Sequence, residues 1–181
     1  KIQDGTEEDK NDLKGQAYFI RAFCHWTLFY IWGPMPYLTK PLGPTDQWDI
    51  PRLSKWETLT RISQDFDSAY FFFNLAGKIR RDPPSGVAGH NDYNAFQMYR
   101  PNGMAAKAYK SRALLFRASP LNNEKGVADW QEAAVASWEA LQVGLANGAS
   151  LLTMANRKQN YYGAMVTDAH LWSYTFNNTS N

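Results

Sequence analysis

Residues 17 to 38, "AYFIRAFCHWTLFYIWGPMPYL", crowd large rings into one segment and then break on Gly-Pro-Met-Pro. Read at helical spacing, Leu13, Ala17, Ile20, Cys24, Thr27, Leu28 and Ile31 share one face, and Phe19, Phe23, Trp26 and Tyr30 share a second. Lys14, Gln16, Arg21 and His25 take much of what remains. A helix with one apolar stripe covers a core from outside, whereas one with two must be packed from both sides. The segment therefore predicts a helix inside an array of helices, with Ile20 and Phe23 both buried against different neighbours. Gly33 suits the position after a helix end, and Pro34 and Pro36 cannot continue the helix. "PMPYLTKPLGP" then runs on as an extended arm.

Three further helices follow. Ser54-Lys55-Trp56-Glu57 fits a capping box, and Leu59, Ile62, Phe66, Ala69, Tyr70 and Phe73 repeat at helical spacing behind it as far as Gly77. Residues 78 to 102 hold three prolines and scattered glycines and read as a long loop. Asn102-Gly103 opens an alanine-rich helix that Ser119-Pro120 stops, and Ala105, Ala108 and Ala113 are expected at a close helix contact. Asp129-Trp130-Gln131-Glu132 reads as a second capping box, before a stripe of Trp130, Ala133, Ala134, Ser137, Trp138 and Leu141. The expected helices lie near 12–32, 54–76, 103–118 and 129–144, packed as two antiparallel hairpins. Small residues on one helix against bulky ones on the next is how stacked hairpins pack, as in tetratricopeptide repeats. The fold class is thus mainly α: stacked, tetratricopeptide-like helical hairpins with long loops and an extended arm. "LWSYTF", residues 171–176, alternates instead, as a strand or an exposed aromatic ribbon does.

Composition narrows the function. Nineteen Lys and Arg against 17 Asp and Glu give a net charge of +2, with no signature of nucleic-acid or membrane-surface binding. A single cysteine excludes an internal disulfide framework, and Cys24, mid-helix, is expected to be buried and structural. His25, His90 and His170 lie far apart, without metal-ligand spacing, so neither a metal nor a cofactor is expected. Asp65 and Asp67 read as a solvated pair on different helix faces, and "KIRRD" as a solvated basic helix end. "SGVAG" lacks the context of a phosphate loop. The polar start, "KIQDGTEEDKND", does not read as a signal peptide.

"LKGQAYFIRAFCHWTLFYIWGPMPYLTKPL" resembles the signature helix and arm of the SusD/RagB family. Arg21-Ala22, Gly33, Pro36 and Leu38 through Leu42 follow the family's order. "PRLSKWETLTRISQDFDSAYFFF" resembles the next family helix at Arg52, Ser54, Glu57, Ile62 and Asp65. "NGMAAKAYKSRALLFRASPLNN" and "VADWQEAAVASWEAL" resemble the two after it. The match spans roughly residues 12 to 145, and family members are much longer. The resemblance implies a single helical domain over residues 1–181, an internal part of a longer SusD-like chain. It implies a non-catalytic outer-membrane lipoprotein of Bacteroidetes-type bacteria, at the cell surface. Such a protein binds oligosaccharides or polysaccharides and hands them to a SusC-like TonB-dependent transporter. It touches the membrane only through a lipid anchor that this chain does not carry. The alternative is a helical-repeat scaffold that binds a protein and no sugar.

With catalytic groups set aside, aromatic rings remain as candidates. In helices they pack cores, but in loops the backbone lies at the surface. A sugar ring has one flat, C–H-rich face that stacks on an indole or phenol. The expected platform is Trp172 first, then Tyr161 and Tyr162, with Trp48 in the arm and Tyr93, Tyr99 and Arg100 in the long loop.

Overall fold

A computed structural model describes residues 4–81 and 100–149. Among them lie four α-helices and no strand: α1 Glu7–Trp32, α2 Lys55–Leu75, α3 Gly103–Ala118 and α4 Val127–Ala146. The mainly α reading holds. Residues 4–81 and 100–147 belong to one compact unit.

α1 begins five residues before its expected start because the cap is Thr6-x-x-Asp9, whose polar first turn shows no apolar period. Thr6 Oγ1 accepts from the Asp9 amide at 3.1 Å, and Asp9 Oδ2 accepts from the Thr6 amide at 3.1 Å. Gly33, at φ 78°, ends α1 as anticipated, its N–H donating to the Phe29 carbonyl at 2.8 Å. Ser54 caps α2 by accepting from the Glu57 amide at 3.0 Å, while Glu57 itself accepts from Arg61 at 3.1 Å. Asn102 caps α3 through its bond from the Ala105 amide at 2.9 Å.

The cap assigned to Asp129 is not formed. α4 starts two residues earlier, behind Gly126 at φ 62°, with no side-chain cap. The Asp129 carboxylate instead turns back, accepting from the Lys125 amide at 3.0 Å, the Glu124 amide at 3.2 Å and the Trp56 indole N–H at 2.9 Å. Its role is to tie the α3–α4 turn to the start of α2.

Each helix runs antiparallel to the next. Tyr18 stacks on Phe72 and Arg21 meets Asp65 across α1 and α2. Lys107 meets Tyr70 and Arg117 meets Thr60 across α2 and α3. Lys107 meets Glu139 and Ser111 meets Ser137 across α3 and α4. The main core joins Phe19, Ala22, Trp26 and Phe29 of α1 to Leu59, Ile62, Phe66, Ala69 and Phe73 of α2, with Ala106 and Ala113 of α3. A smaller core of Leu114, Ala118, Ala133 and Ala136 fastens α4.

Small residues decide which sides meet. The buried side of α1 reads Asp12, Gly15, Phe19, Ala22, Trp26, Phe29. A Cβ on Gly15 would stand 2.7 Å from the Phe73 ring, so the glycine sets how near α2 comes. The face from Leu13 through Ile31 lies on the other side and is bare: Ile20 is 54% exposed, and Leu13, Leu28 and Ile31 are exposed with it. Phe19 and Trp26 of the aromatic face are buried, whereas Phe23 and Tyr30 stand at its open edge. α1 therefore packs on one side in the described residues, contrary to the two-sided expectation for Ile20 and Phe23. Cys24, on the bare side, is exposed rather than buried.

The same rule corrects α3 and α4. Ala106 and Ala113 are buried and Ala105 packs against the core, but Ala108 points outward. On α4 the inward residues are Ala133 and Ala136, while Trp130, Trp138 and Leu141 are exposed.

The arm between Gly33 and Ser54 lays Met35 and Tyr37 against the core. The described residues on either side of 82–99 are bonded together. Gly103 N–H donates to the Lys78 carbonyl at 3.0 Å, Met104 N–H to Ile79 at 3.1 Å, and Arg81 Nε to Pro101 at 3.0 Å. "KIRRD" is thus no solvated end: the Arg81 side chain is 3% exposed and pairs with Asp12 of α1.

Candidate functional site

Two features stand out beside the core: a polar node that pins the arm to α1 and α2, and the exposed rings. The node is built on Asp65, which is buried rather than solvated. Its two oxygens accept from Arg21 Nε and Nη2, each at 2.6 Å, and Oδ2 also accepts from the Tyr37 hydroxyl at 2.6 Å. A bidentate guanidinium–carboxylate pair is among the strongest side-chain contacts. Its hydrogen bonds to Asp65 hold the Arg21 guanidinium above its ordinary range. Burial, with the Asp65 carboxylate beside it, pushes the Tyr37 phenol well above its own, so Tyr37 stays neutral and donating. Arg21 further donates to the Thr39 carbonyl at 3.2 Å and covers the Tyr18 ring at 4.9 Å.

His25 completes the node. Its ring lies 4.0 Å from the Tyr37 ring at 26°, its Nδ1 is 2.8 Å from the Arg21 carbonyl, and its Nε2 is 3.2 Å from the Leu38 N–H. These groups hold the chain as it turns out of α1. Asp65 is engaged by three donor groups, and Asp67 pairs with Lys110 at 2.7 Å and Lys107 at 3.6 Å. Among the described residues no group of His, Cys, Asp and Glu could hold a metal. No described helix is long and apolar enough to cross a membrane.

Of the rings proposed from sequence, Trp48 stands on the arm and is 66% exposed. Its carbonyl accepts from the Ile50 N–H at 3.0 Å, which fixes a tight local bend. Arg100 is half-buried at the foot of the long loop. Tyr93, Tyr99, Tyr161, Tyr162 and Trp172 lie outside the described residues, as does "LWSYTF". Other exposed rings lie on the helices: Trp32, 77% exposed at the last position of α1, with Tyr30, Phe71, Trp130 and Trp138. The signal for Trp138 was present, since Ala133 and Ala136 mark the opposite side of its helix as the one a neighbour can approach.

Residues 1–77 match the SusD-like family, whose description is "Starch-binding associating with outer membrane". A stretch of 37 residues is 40% identical to the SusD-like protein P25 of Formosa agariphila, covering 20% of this chain and 7% of that protein. The fold is similar to that of a SusD-like protein from Bacteroides fragilis, with a TM-score of 0.56 and 24% identity. That likeness covers 77% of this chain and 22% of the other. The chain thus spans a small part of the length of these relatives.

Most of the motif that carried the SusD-like resemblance is explained by the stack. Arg21 grips Asp65, Gly33 closes α1, Ser54 caps α2 and Ile62 sits in the core. These positions build the fold.

Proposed function

We propose that this chain is part of a non-catalytic, SusD-like protein of the outer-membrane surface that binds oligosaccharide and passes it to a SusC-like TonB-dependent transporter. The observation that carries the reading is the match of residues 1–77 to a family described as starch-binding and associated with the outer membrane. The engagement of the Asp65 carboxylate by Arg21 and Tyr37 agrees with a binding role, because it is not free to act as acid, base or nucleophile. The sugar platform is Trp172, Tyr161 and Tyr162, with Trp48, Tyr93, Tyr99 and Arg100 around it. Exposed Trp48 is the described member of this set best suited to stacking.

A second reading, a helical scaffold for a protein partner, is favoured by the bare apolar side of α1 and the outward Trp138 and Leu141 of α4. Native gels cast with soluble starch and with other polysaccharides separate the two, since only a glycan binder is retarded. Calorimetry with the retarding glycan then compares wild type with Trp172→Ala and Trp48→Ala. Loss of one stacked ring costs about 1–3 kcal/mol, taking base–aromatic stacking as the analogue, or roughly ten- to hundredfold in affinity. Unchanged affinity in a folded variant removes that ring from the platform. Retardation by no glycan, or hydrolysis of the glycan by pure protein, overturns the proposal.

A further inference from the structure

The bonds of His25 define its protonation state. The Arg21 carbonyl can only accept and the Leu38 N–H can only donate, so Nδ1 carries the proton and Nε2 is bare. The ring is neutral and one tautomer is selected. We propose that His25 is an acid-sensitive latch that holds the arm from Leu38 onward against α1 and lets it go when the imidazole is protonated. A proton on Nε2 would face the Leu38 N–H with another N–H, which turns a bond into a repulsion.

The groups around the ring do not undo this. On α1 the nearest charge is Arg21, one turn away, whose positive sign opposes a second cation. On α2 the Asp65 carboxylate, which shares Tyr37 with the ring, is already engaged by Arg21 and by the Tyr37 hydroxyl. Arg61 of α2 is drawn off by Glu57. On the arm, Lys40 pairs with Asp46 at 3.6 Å, and Tyr37 meets the imidazole with its ring face. A cationic imidazole is welcome on that face, so Tyr37 stays seated while the Leu38 bond is lost. The opening therefore begins at Leu38 and travels outward towards Trp48, with Thr39 held among the described residues by Arg21 Nη1. Because the latched arm binds only the neutral ring, rising proton concentration draws the population towards the released arm.

The test uses the full 181-residue chain, 15N-labelled. Long-range imidazole correlation spectra read the tautomer directly, and amide exchange at Leu38, corrected for its intrinsic pH dependence, reads the latch. At neutral pH the spectra should show Nδ1 protonated and Nε2 bare. As His25 titrates, corrected exchange at Leu38 should rise about tenfold, the size of one lost hydrogen bond. The Phe66 amide in the middle of α2 should stay protected, which separates unlatching from unfolding. His25→Phe keeps a ring against Tyr37 and removes both bonds. It should expose the Leu38 amide already at neutral pH and abolish the acid-induced change. Any of three results overturns the latch: an Nε2–H tautomer, Leu38 protection that ignores the His25 titration, or loss of protection at Leu38 and Phe66 together.

Discussion

Removing the Arg117 side chain should be among the most damaging single changes in the stack. Arg117 is 0% exposed. Its Nη1 donates to Thr60 Oγ1 at 2.9 Å, its Nη2 pairs with Glu132 and lies 3.2 Å from Asp129, and its plane covers the Trp56 ring at 4.7 Å. One residue thus joins α2, α3 and α4. Breaking a buried ion pair from one side costs about 3–5 kcal/mol, because the other charge is stranded. Two features temper that figure. Asp129 keeps three donors in Trp56, Glu124 and Lys125, and Glu132 is more than half exposed and regains water. In addition Nε of Arg117 is buried without a partner, so its removal relieves a penalty of about 1–3 kcal/mol. Arg117→Ala should therefore cost about 2–4 kcal/mol. Urea melts followed by circular dichroism measure it, with an unchanged slope confirming the same two states. Arg117→Lys should recover little, since an ammonium cannot span Thr60 and Glu132 while lying flat on an indole. Combined with Asp129→Asn, the two losses should be coupled by about 1 kcal/mol or more. A cost for Arg117→Ala below about 0.5 kcal/mol, the level of an ordinary surface change, would refute this account of the helix junction.

The alanine-rich face of α3 gives a paired prediction. Ala106→Leu should overpack the core and cost about 1–3 kcal/mol, whereas Ala108→Leu, on the outward side, should leave the melting midpoint within experimental error. In acid, Asp129 should contribute a loss of its own. Burial alone would raise its carboxyl, but the Trp56 indole, the Lys125 and Glu124 amides and the Arg117 charge together hold it below the ordinary carboxylate range. A depressed folded-state value means its stabilisation is complete above the unfolded value, about pH 4, and drains away as pH falls further. Asp129→Asn should flatten that part of a pH–stability profile, and an unchanged acid limb would contradict the assignment.

Helix existence was legible because caps and breakers act locally. Gly33, Ser54, Asn102 and Ser119 each stop or start a helix where the sequence indicated. Helix orientation was less legible. Large residues such as Ile20, Phe23 and Trp138 suggested buried sides, but Gly15, Ala22, Ala106 and Ala133 decided them, because a neighbouring backbone can come near only where side chains are short. The polar node was least legible. Asp65 and Arg21 are 44 positions apart and Asp12 and Arg81 are 69 apart, and no local pattern reports that two charges will share a buried pair. Asp129 sat in a plausible capping motif, yet its carboxylate was claimed by an indole 73 residues away. Of the proposed sugar platform, exposure of Trp48 followed from its place in an arm rich in prolines, where no helix period could bury it.

The bonded feet of the long loop carry a consequence for how such a chain can diversify. Lys78, Ile79 and Arg81 are fastened to Gly103, Met104 and Pro101, so the stack is closed before the loop begins. Lengthening a flexible connection costs only about 0.6 kcal/mol per doubling once its ends are fixed. With both ends fixed by these contacts, a change in the length of the connection between Arg81 and Arg100 should leave the packing of the four helices unchanged. Two backbone hydrogen bonds and one arginine turn that position into a socket, where a lineage can exchange one connecting segment for another without redesigning the helices that flank it.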